Sequence, residues 1–132
     1  MHTVKCKAHF DSAHFLKDYP GKCKNIHGHR WVFEAEVAGE LTDGMVQDFT
    51  DLKRILNSLS DEFDHKLIYE KGTISQNLKE ALSAEDFALC ETDFRPTAEN
   101  FAEFLYKTLK KSIKVTKITV WETPETAAVY SE

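Results

Sequence analysis

The chain has no block of consecutive Lys or Arg residues and no apolar run long enough to cross a membrane. Its formal net charge is -5, and an acidic chain repels the phosphates of nucleic acids, so we expect no nucleic-acid partner. The first ten residues lack the apolar core of a secretory signal. We therefore expect a protein with no membrane partner and a cytoplasmic location.

Cysteine is scarce, with Cys6, Cys23 and Cys90 at irregular spacing. An odd and sparse set argues against a disulfide framework and indicates a reducing compartment. Cys6 lies in the middle of a predicted strand and Cys90 lies near Phe87 and Leu89, so both are predicted to be buried packing residues. In such a compartment, a cysteine close to histidines, as Cys23 is, suggests catalysis or metal binding. Repeats, linkers and low-complexity segments are absent, so residues 1–132 are predicted to form one domain.

Hydrophobic periodicity predicts strand pairs on either side of a helical middle. The predicted strands are residues 3–14, 29–38, 117–121 and 126–130, and the predicted helices begin near Thr50 and Thr97. Between them, residues 77–82 and 84–89 are candidates for short helices. This order predicts an α+β domain in which helices pack on one face of an antiparallel sheet.

The densest group of chemically active residues is CKNIHGH, residues 23–29. His27 and His29 are two positions apart, so in a strand their side chains lie on one face. Gly28 leaves the opposite face without a side chain, so that backbone can approach closely. His14 ends the first predicted strand, and in a hairpin it lies opposite the start of the second. Three imidazoles on one face are the ligand set of a catalytic zinc ion with an open fourth position.

The residues alone leave the role of Cys23 open. A thiolate binds zinc well, so Cys23 as a fourth ligand would close the site and make it structural. Alternatively, Cys23 is a nucleophile or a base beside the metal. Spacing along the chain does not separate these two roles.

Two acidic positions outside this segment carry weaker signals. Asp64 precedes His65, but adjacent side chains seldom face each other, and most such pairs belong to solvated turns. Glu122 ends the predicted strand KITVW. A carboxylate there could accept two hydrogen bonds from the edge of a guanine or a pterin, although a solvated strand end is the commoner case.

Six segments, in this order, resemble the 6-pyruvoyltetrahydropterin synthase family: FDSAHF, CKNIHGH, MVQDFTDLK, DHKLI, PTAEN and VWETPETAAVY. The resemblance extends from about residue 8 to residue 130. The C-x3-H-G-H spacing is similar to that of the bacterial branch, which makes 6-carboxy-5,6,7,8-tetrahydropterin for queuosine. The segment Lys66–Arg95 is longer than in compact members of the family, and it could alter access to the site or subunit contacts.

The resemblance implies a T-fold, which is a four-stranded antiparallel sheet with two helices on one side. It also implies homo-oligomers, trimers or hexamers, with active sites between subunits. The implied zinc ligands are His14, His27 and His29, the implied catalytic residues are Cys23, Asp64 and His65, and the implied pterin-binding residues are Glu122 and Glu99.

The implied reaction converts 7,8-dihydroneopterin triphosphate to 6-carboxytetrahydropterin, acetaldehyde and triphosphate. Lys22, Lys24 and Arg30 lie near the histidines in sequence and are candidates for contacts with the triphosphate. Two alternatives stay open. The chain could release triphosphate alone and make 6-pyruvoyltetrahydropterin, or it could be a non-catalytic zinc-binding module with Cys23 as fourth ligand.

Overall fold

A computed structural model describes residues 1–132. The elements in chain order are β1 (His2–His14), β2 (His27–Gly39), α1 (Phe49–Asp61), β3 (Leu67–Glu70), α2 (Gln76–Ala84), β4 (Leu89–Thr92), α3 (Ala98–Leu109), β5 (Val115–Thr123) and β6 (Thr126–Tyr130). A short 3-10 turn, Lys22–Lys24, lies in the loop between β1 and β2. No helix is both long and apolar enough to span a membrane.

All six strands belong to one sheet in the order β4-β3-β1-β2-β5-β6. β1, β2, β5 and β6 pair antiparallel, whereas β3 pairs parallel with β1 and with β4. The predicted α+β class is confirmed. The predicted four-stranded sheet is wrong, because the long segment Lys66–Arg95 adds two parallel strands to the antiparallel four.

Each added strand is only four residues long, which is too short for a pattern of alternation to identify it. The predicted helix at 77–82 is confirmed as part of α2. The helix predicted at 84–89 is wrong. Asp86 has a φ of 64°, in the left-handed region, so the chain turns there and continues into β4.

The hairpin of β1 and β2 determines where the histidines and the central aromatic residues of the core lie. Its register pairs His14 with His27, one of the two partners that the sequence predicts (His27 or His29), and β2 begins two residues before the predicted residue 29. Strand alternation then buries Phe10, Trp31 and Phe33 on the face that the helices cover. The stacked rings of Phe10 and Trp31 have centroids 6.0 Å apart and lie close to the end of the hairpin that carries the histidines.

Two amphipathic helices cover that face of the sheet. α1 contacts β1, and α3 contacts β5 and β6. The N-cap of α1 is Asp48, whose carboxylate accepts a hydrogen bond from the backbone N–H of Thr50, so the predicted cap at Thr50 is two residues late. α3 begins where predicted, and Thr97 caps it by accepting a hydrogen bond from the N–H of Asn100. Phe101 on α3 packs against Trp31, with centroids 5.0 Å apart.

Candidate metal centre and active site

Three histidines and a glutamate meet at the end of the β1–β2 hairpin. One potential ligand atom from each of His14, His27, His29 and Glu122 lies within 4.8 Å of the other three. His14 is almost fully buried, whereas the side chains of His29 and Glu122 are 19% and 28% exposed. The group is therefore anchored at its inner end and reachable from solvent at its outer end.

The hydrogen bonds of two of these imidazoles fix which nitrogen carries the proton. His14 Nδ1 donates to the carbonyl of Pro96 at 2.8 Å, and His27 Nδ1 donates to the carbonyl of Asn25 at 2.7 Å. A carbonyl can only accept, so in the neutral rings both Nε2 atoms carry lone pairs. These two Nε2 atoms lie 3.1 Å apart, which is repulsive unless a cation lies between them. The donor set thus fits a metal ion.

Glu122 reaches the same group from β5. Ile118 and Val120 of β5 are buried, and alternation places Glu122 on their face, beside the histidines. Its Oε1 lies 3.1 Å from His29 Nε2, but the two atoms lack hydrogen-bond geometry, and this buried nitrogen has no other partner. A buried nitrogen without a partner is costly, and a metal ion would satisfy it.

Burial favours the neutral form of the His14 and His29 imidazoles, and the neutral form is the one that binds metal. Burial lowers the pKa of His14 from 6.5 to about 4. Burial also lowers the pKa of His29, against the opposing pull of the Glu122 carboxylate. Two of the three imidazoles are therefore uncharged at neutral pH without help from a metal.

We expect the metal-free protein to lose stability as the pH falls from about 6.5 towards 4. His14 binds a proton in the unfolded chain near its ordinary pKa of 6.5 but in the folded chain only near 4, so the unfolded state takes up more protons in that window. Urea denaturation of the chelator-treated protein at several pH values measures this. A His14→Gln variant, which cannot titrate there, should show a shallower pH dependence.

In the segment PTAEN, Pro96, Thr97 and Asn100 make the contacts that hold His14 and the start of α3 in place. The Pro96 carbonyl orients His14, Thr97 caps α3, and the side-chain amide of Asn100 donates to the carbonyl of Arg95 at 2.9 Å. Such contacts to a metal-binding imidazole fix its ring orientation. Glu99 is exposed in the first turn of α3, is not one of the four residues that could share a metal ion, and lines neither of the clefts described next.

Two open clefts border the end of the hairpin, and Gly28, His29 and Arg30 line both, whereas His14 and His27 line neither. The first, of about 650 Å³, continues past His65 to an apolar wall from the long segment, formed by Leu82, Phe87, Ala88 and Leu89. The second, of about 500 Å³, continues past Trp121 and Glu122. Gly28 has no side chain to narrow either cleft. A Cβ there would contact only the Ser12 carbonyl, at 3.7 Å, so open space rather than close backbone packing accounts for the glycine.

Asp64 and His65 face each other despite being adjacent in sequence. His65 has a φ of 57°, and this left-handed turn brings its Nδ1 to 2.9 Å from Asp64 Oδ2. The His65 side chain is 79% exposed and borders the first cleft. The other Asp64 oxygen accepts from the Asp11 N–H at 2.9 Å, and this bond is the main reason that the Asp64 pKa is lowered.

Cys23 lies in the half-exposed turn between β1 and β2, where its carbonyl accepts from Leu16 N–H at 2.8 Å. Its thiol is not among the four groups that could share a metal ion, where Glu122 stands instead. Lys22 and Lys24 of the same turn are exposed. Arg30, the third cation predicted to contact triphosphate, already pairs with a carboxylate, that of Asp11.

Sequence reasoning missed three contributors to this site: Asp11, the Pro96 carbonyl, and the approach of Glu122 to the histidines. The contact of Asp11 with Arg30 could have been predicted from the sequence. Pairing His14 with His27 puts Asp11 opposite Arg30, and opposite charges in facing strand positions attract. Backbone carbonyls such as that of Pro96 leave no mark in a sequence.

The match to a protein-family model covers nearly the whole chain. The model described as "6-pyruvoyl tetrahydropterin synthase" matches residues 3–132. The chain belongs to the 6-pyruvoyl tetrahydropterin synthase family.

Similar proteins of known name lie in the same family. The chain is 33% identical to the 6-carboxy-5,6,7,8-tetrahydropterin synthase of Haemophilus influenzae, with 100% of each chain covered. It is 35% identical to the enzyme of that name from Aquifex aeolicus, with 91% of this chain and 83% of the relative covered.

Solved structures share the fold. The 6-pyruvoyl tetrahydropterin synthase of Caenorhabditis elegans superimposes with a TM-score of 0.72 at 25% identity, covering 99% of this chain and 95% of that one. An uncharacterized protein from Wolinella succinogenes superimposes with a TM-score of 0.83 at 18% identity, covering 99% and 98% of the two chains.

Proposed function

We propose that this protein is a zinc-dependent 6-carboxy-5,6,7,8-tetrahydropterin synthase. It converts 7,8-dihydroneopterin triphosphate to 6-carboxytetrahydropterin, acetaldehyde and triphosphate, in the cytoplasm and as a step of queuosine biosynthesis. The observation that carries the proposal is the group of three histidines that could share one metal ion, two of them with Nε2 lone pairs 3.1 Å apart. The names of the full-length relatives support the choice of reaction.

His14, His27 and His29 would hold the zinc ion, leaving its outer side for substrate. When bound, zinc supplies Lewis-acid chemistry that lowers the pKa of hydroxyl groups on the substrate side chain. The protein's own part is to keep His14 and His29 neutral, which burial does, and to orient His14 and His27, which the carbonyls of Pro96 and Asn25 do.

Proton transfers fall to Cys23 and His65. His65 Nδ1 is held by Asp64, so its Nε2 is left to take or give a proton in the first cleft. Cys23 is the second acid–base group, acting as thiolate, on a turn that precedes the histidines by a few residues. Glu122, lining the second cleft, would accept two hydrogen bonds from the pterin edge. Glu99 remains a weaker candidate for contact with the pterin.

Assembly into trimers or hexamers, with active sites between subunits, is part of the proposal. β4 and β6 each form an edge of the sheet and have one strand partner within the chain. An unpaired edge invites another strand, and Val129 on β6 is a large apolar side chain that is 60% exposed. Pairing between copies would cover both features.

A second candidate is 6-pyruvoyltetrahydropterin synthesis, which the name of the Caenorhabditis elegans structure favours. Incubation of the purified, zinc-loaded protein with 7,8-dihydroneopterin triphosphate, followed by mass analysis of the products, separates the candidates. Our proposal expects the 6-carboxy product and one acetaldehyde per triphosphate. Triphosphate with a 6-pyruvoyl product and no acetaldehyde would favour the second candidate. Bound zinc without consumption of substrate would indicate a non-catalytic module.

We expect Glu122→Gln to weaken pterin binding about tenfold or more while zinc stays bound. The substitution replaces one acceptor oxygen by a donor, which would then face a donor on the pterin, and an unpaired buried group costs roughly 1–3 kcal/mol. Fluorescence titration with a pterin and metal analysis of the same sample measure both quantities. The exposed Glu125 provides the control, since Glu125→Gln should change neither.

Because Glu122 lies close to His29, the same experiment also tests whether Glu122 is a metal ligand. A loss of zinc affinity with unchanged pterin affinity would make Glu122 a fourth metal ligand instead of the pterin anchor.

A further inference from the structure

Arg30 and Asp11 form a two-pronged ion pair across the hairpin. They are direct partners in the β1–β2 register, and Arg30 Nε and an Nη atom donate to the two carboxylate oxygens of Asp11 at 2.9 and 3.0 Å. The N–H and C=O of Asp11 both point away from β2, towards the turn at residues 64–65. In an antiparallel pair, such positions bring the facing side chains closest, which favours this contact.

The same Asp11 backbone holds the Asp64–His65 pair. Its N–H donates to Asp64 Oδ1 at 2.9 Å, and its carbonyl accepts from the His65 N–H at 2.7 Å. The Asp11 carboxylate is therefore the second carboxylate in the neighbourhood of one imidazole. It attracts a protonated His65 and repels Asp64, and the hydrogen bonds from Arg30 are the main cause of its lowered pKa.

We propose that Arg30 is a positioning residue that sequesters the Asp11 carboxylate, so that Asp64 is the only carboxylate pairing with His65. The inference rests on the acid–base role proposed for His65. In this proposal Arg30 supports the turn at Asp64 and His65 and does not bind the triphosphate. The Asp11 carboxylate occupies the Nε edge of the Arg30 guanidinium and offsets its charge, which weakens its attraction for a phosphate.

Without Arg30, the Asp11 carboxylate would compete with Asp64 for the imidazole. Two rotamers of His65 would then be stabilised in place of one, and only one of them aims Nε2 correctly. A displacement of about 1 Å at a catalytic group can cost roughly a hundredfold in rate. The penalty should fall on the chemical step and leave substrate binding almost unchanged.

The test is a rescue experiment on the zinc-loaded enzyme. Arg30→Ala is expected to lower kcat about tenfold or more, with KM within about twofold of the wild type. Adding Asp11→Asn should restore kcat to within about threefold, because no carboxylate is left to neutralise. A double variant as slow as Arg30→Ala would overturn the proposal, which requires the uncompensated Asp11 carboxylate to be the cause of the loss.

Two more variants separate sequestration from phosphate binding. Arg30→Lys keeps the charge and can still neutralise Asp11 through one bond, so we expect an intermediate kcat and an unchanged KM. A higher KM in Arg30→Ala with kcat retained would overturn the proposal and return Arg30 to the triphosphate. Arg54, an exposed arginine on α1 paired only with Asp51, is the matched control, and Arg54→Ala should match the wild type.

NMR of His65 tests the role of Arg30 without relying on the proposed pterin reaction. The charged or titratable side chains around His65 are those of Asp64, Asp11, Arg30, Lys66 and His29. An unpaired Asp11 carboxylate would offer the His65 imidazole a second partner, so NMR of the His65 ring should show a second environment in Arg30→Ala and a single one again in the double variant. A single, wild-type environment in Arg30→Ala would refute sequestration. If the wild type does not consume the pterin triphosphate, the proposed function fails while this NMR measurement still judges the ion pair.

Discussion

His29→Ala is expected to release the bound zinc and to lower turnover about a thousandfold or more. His29 is one of three imidazoles that converge at the hairpin end, and its Nε2 has no hydrogen-bond partner in the protein that could hold it for another purpose. Lewis-acid stabilisation is worth several kcal/mol, and about 1.4 kcal/mol corresponds to a factor of ten in rate. Metal analysis and turnover of the same preparation measure the two effects.

The native tryptophan beside the site provides a direct binding assay. The buried ring of Trp31 lies 4.8 Å from that of His14 and 5.7 Å from that of His29, measured between centroids. Co²⁺ added to the metal-free protein should therefore quench Trp31 fluorescence, and His29→Ala should need a much higher concentration. Trp31→Phe identifies the share of the signal that comes from Trp121.

His9→Ala is the control for this prediction, since His9 is exposed on the opposite face of β1 and should keep full zinc occupancy. Full zinc occupancy in a folded His29→Ala protein would contradict the three-histidine site.

The hairpin and its histidines could be predicted because short-range rules determine them. Two histidines two positions apart share a strand face, and the loop between the strands determines which residue lies opposite them. His14 lies opposite His27, one of the two positions expected. α3 could also be predicted, since Pro96 and Thr97 mark its start and its apolar stripe has the helical period.

The parts that could not be predicted depend on contacts between distant segments. β3 and β4 are four residues each, and they become strands only because β1 offers a free edge to β3. The approach of Glu122 to His29 requires β5 to pair with β2 in one particular register. Such pairings follow from the packing of the whole sheet, and local sequence carries little information about them.

Cys6 and Cys90 pack in or against the hydrophobic core, whereas Cys23 does not. Burial raises the pKa of Cys6 and of Cys90, so both thiols resist ionisation. Cys23 lies in a half-exposed turn between two exposed lysines. With a limiting amount of iodoacetamide at neutral pH, we expect Cys23 to be alkylated first, as peptide mass mapping can show. Alkylation of Cys90 ahead of Cys23 would contradict this order.

The last expectation is that Cys23→Ala lowers turnover about a hundredfold or more and leaves zinc in place. A general acid or base contributes about a hundredfold or more to a rate, and losing it does not affect the metal if the thiol is not a ligand. The group that could hold the ion consists of three histidines and Glu122, without this sulfur. Cys90→Ala, at a thiol half-buried beside the core, should retain activity and zinc even if stability falls. Release of zinc from a folded Cys23→Ala protein would make Cys23 a ligand, and the site would then be a closed structural one instead of an active site with an open position.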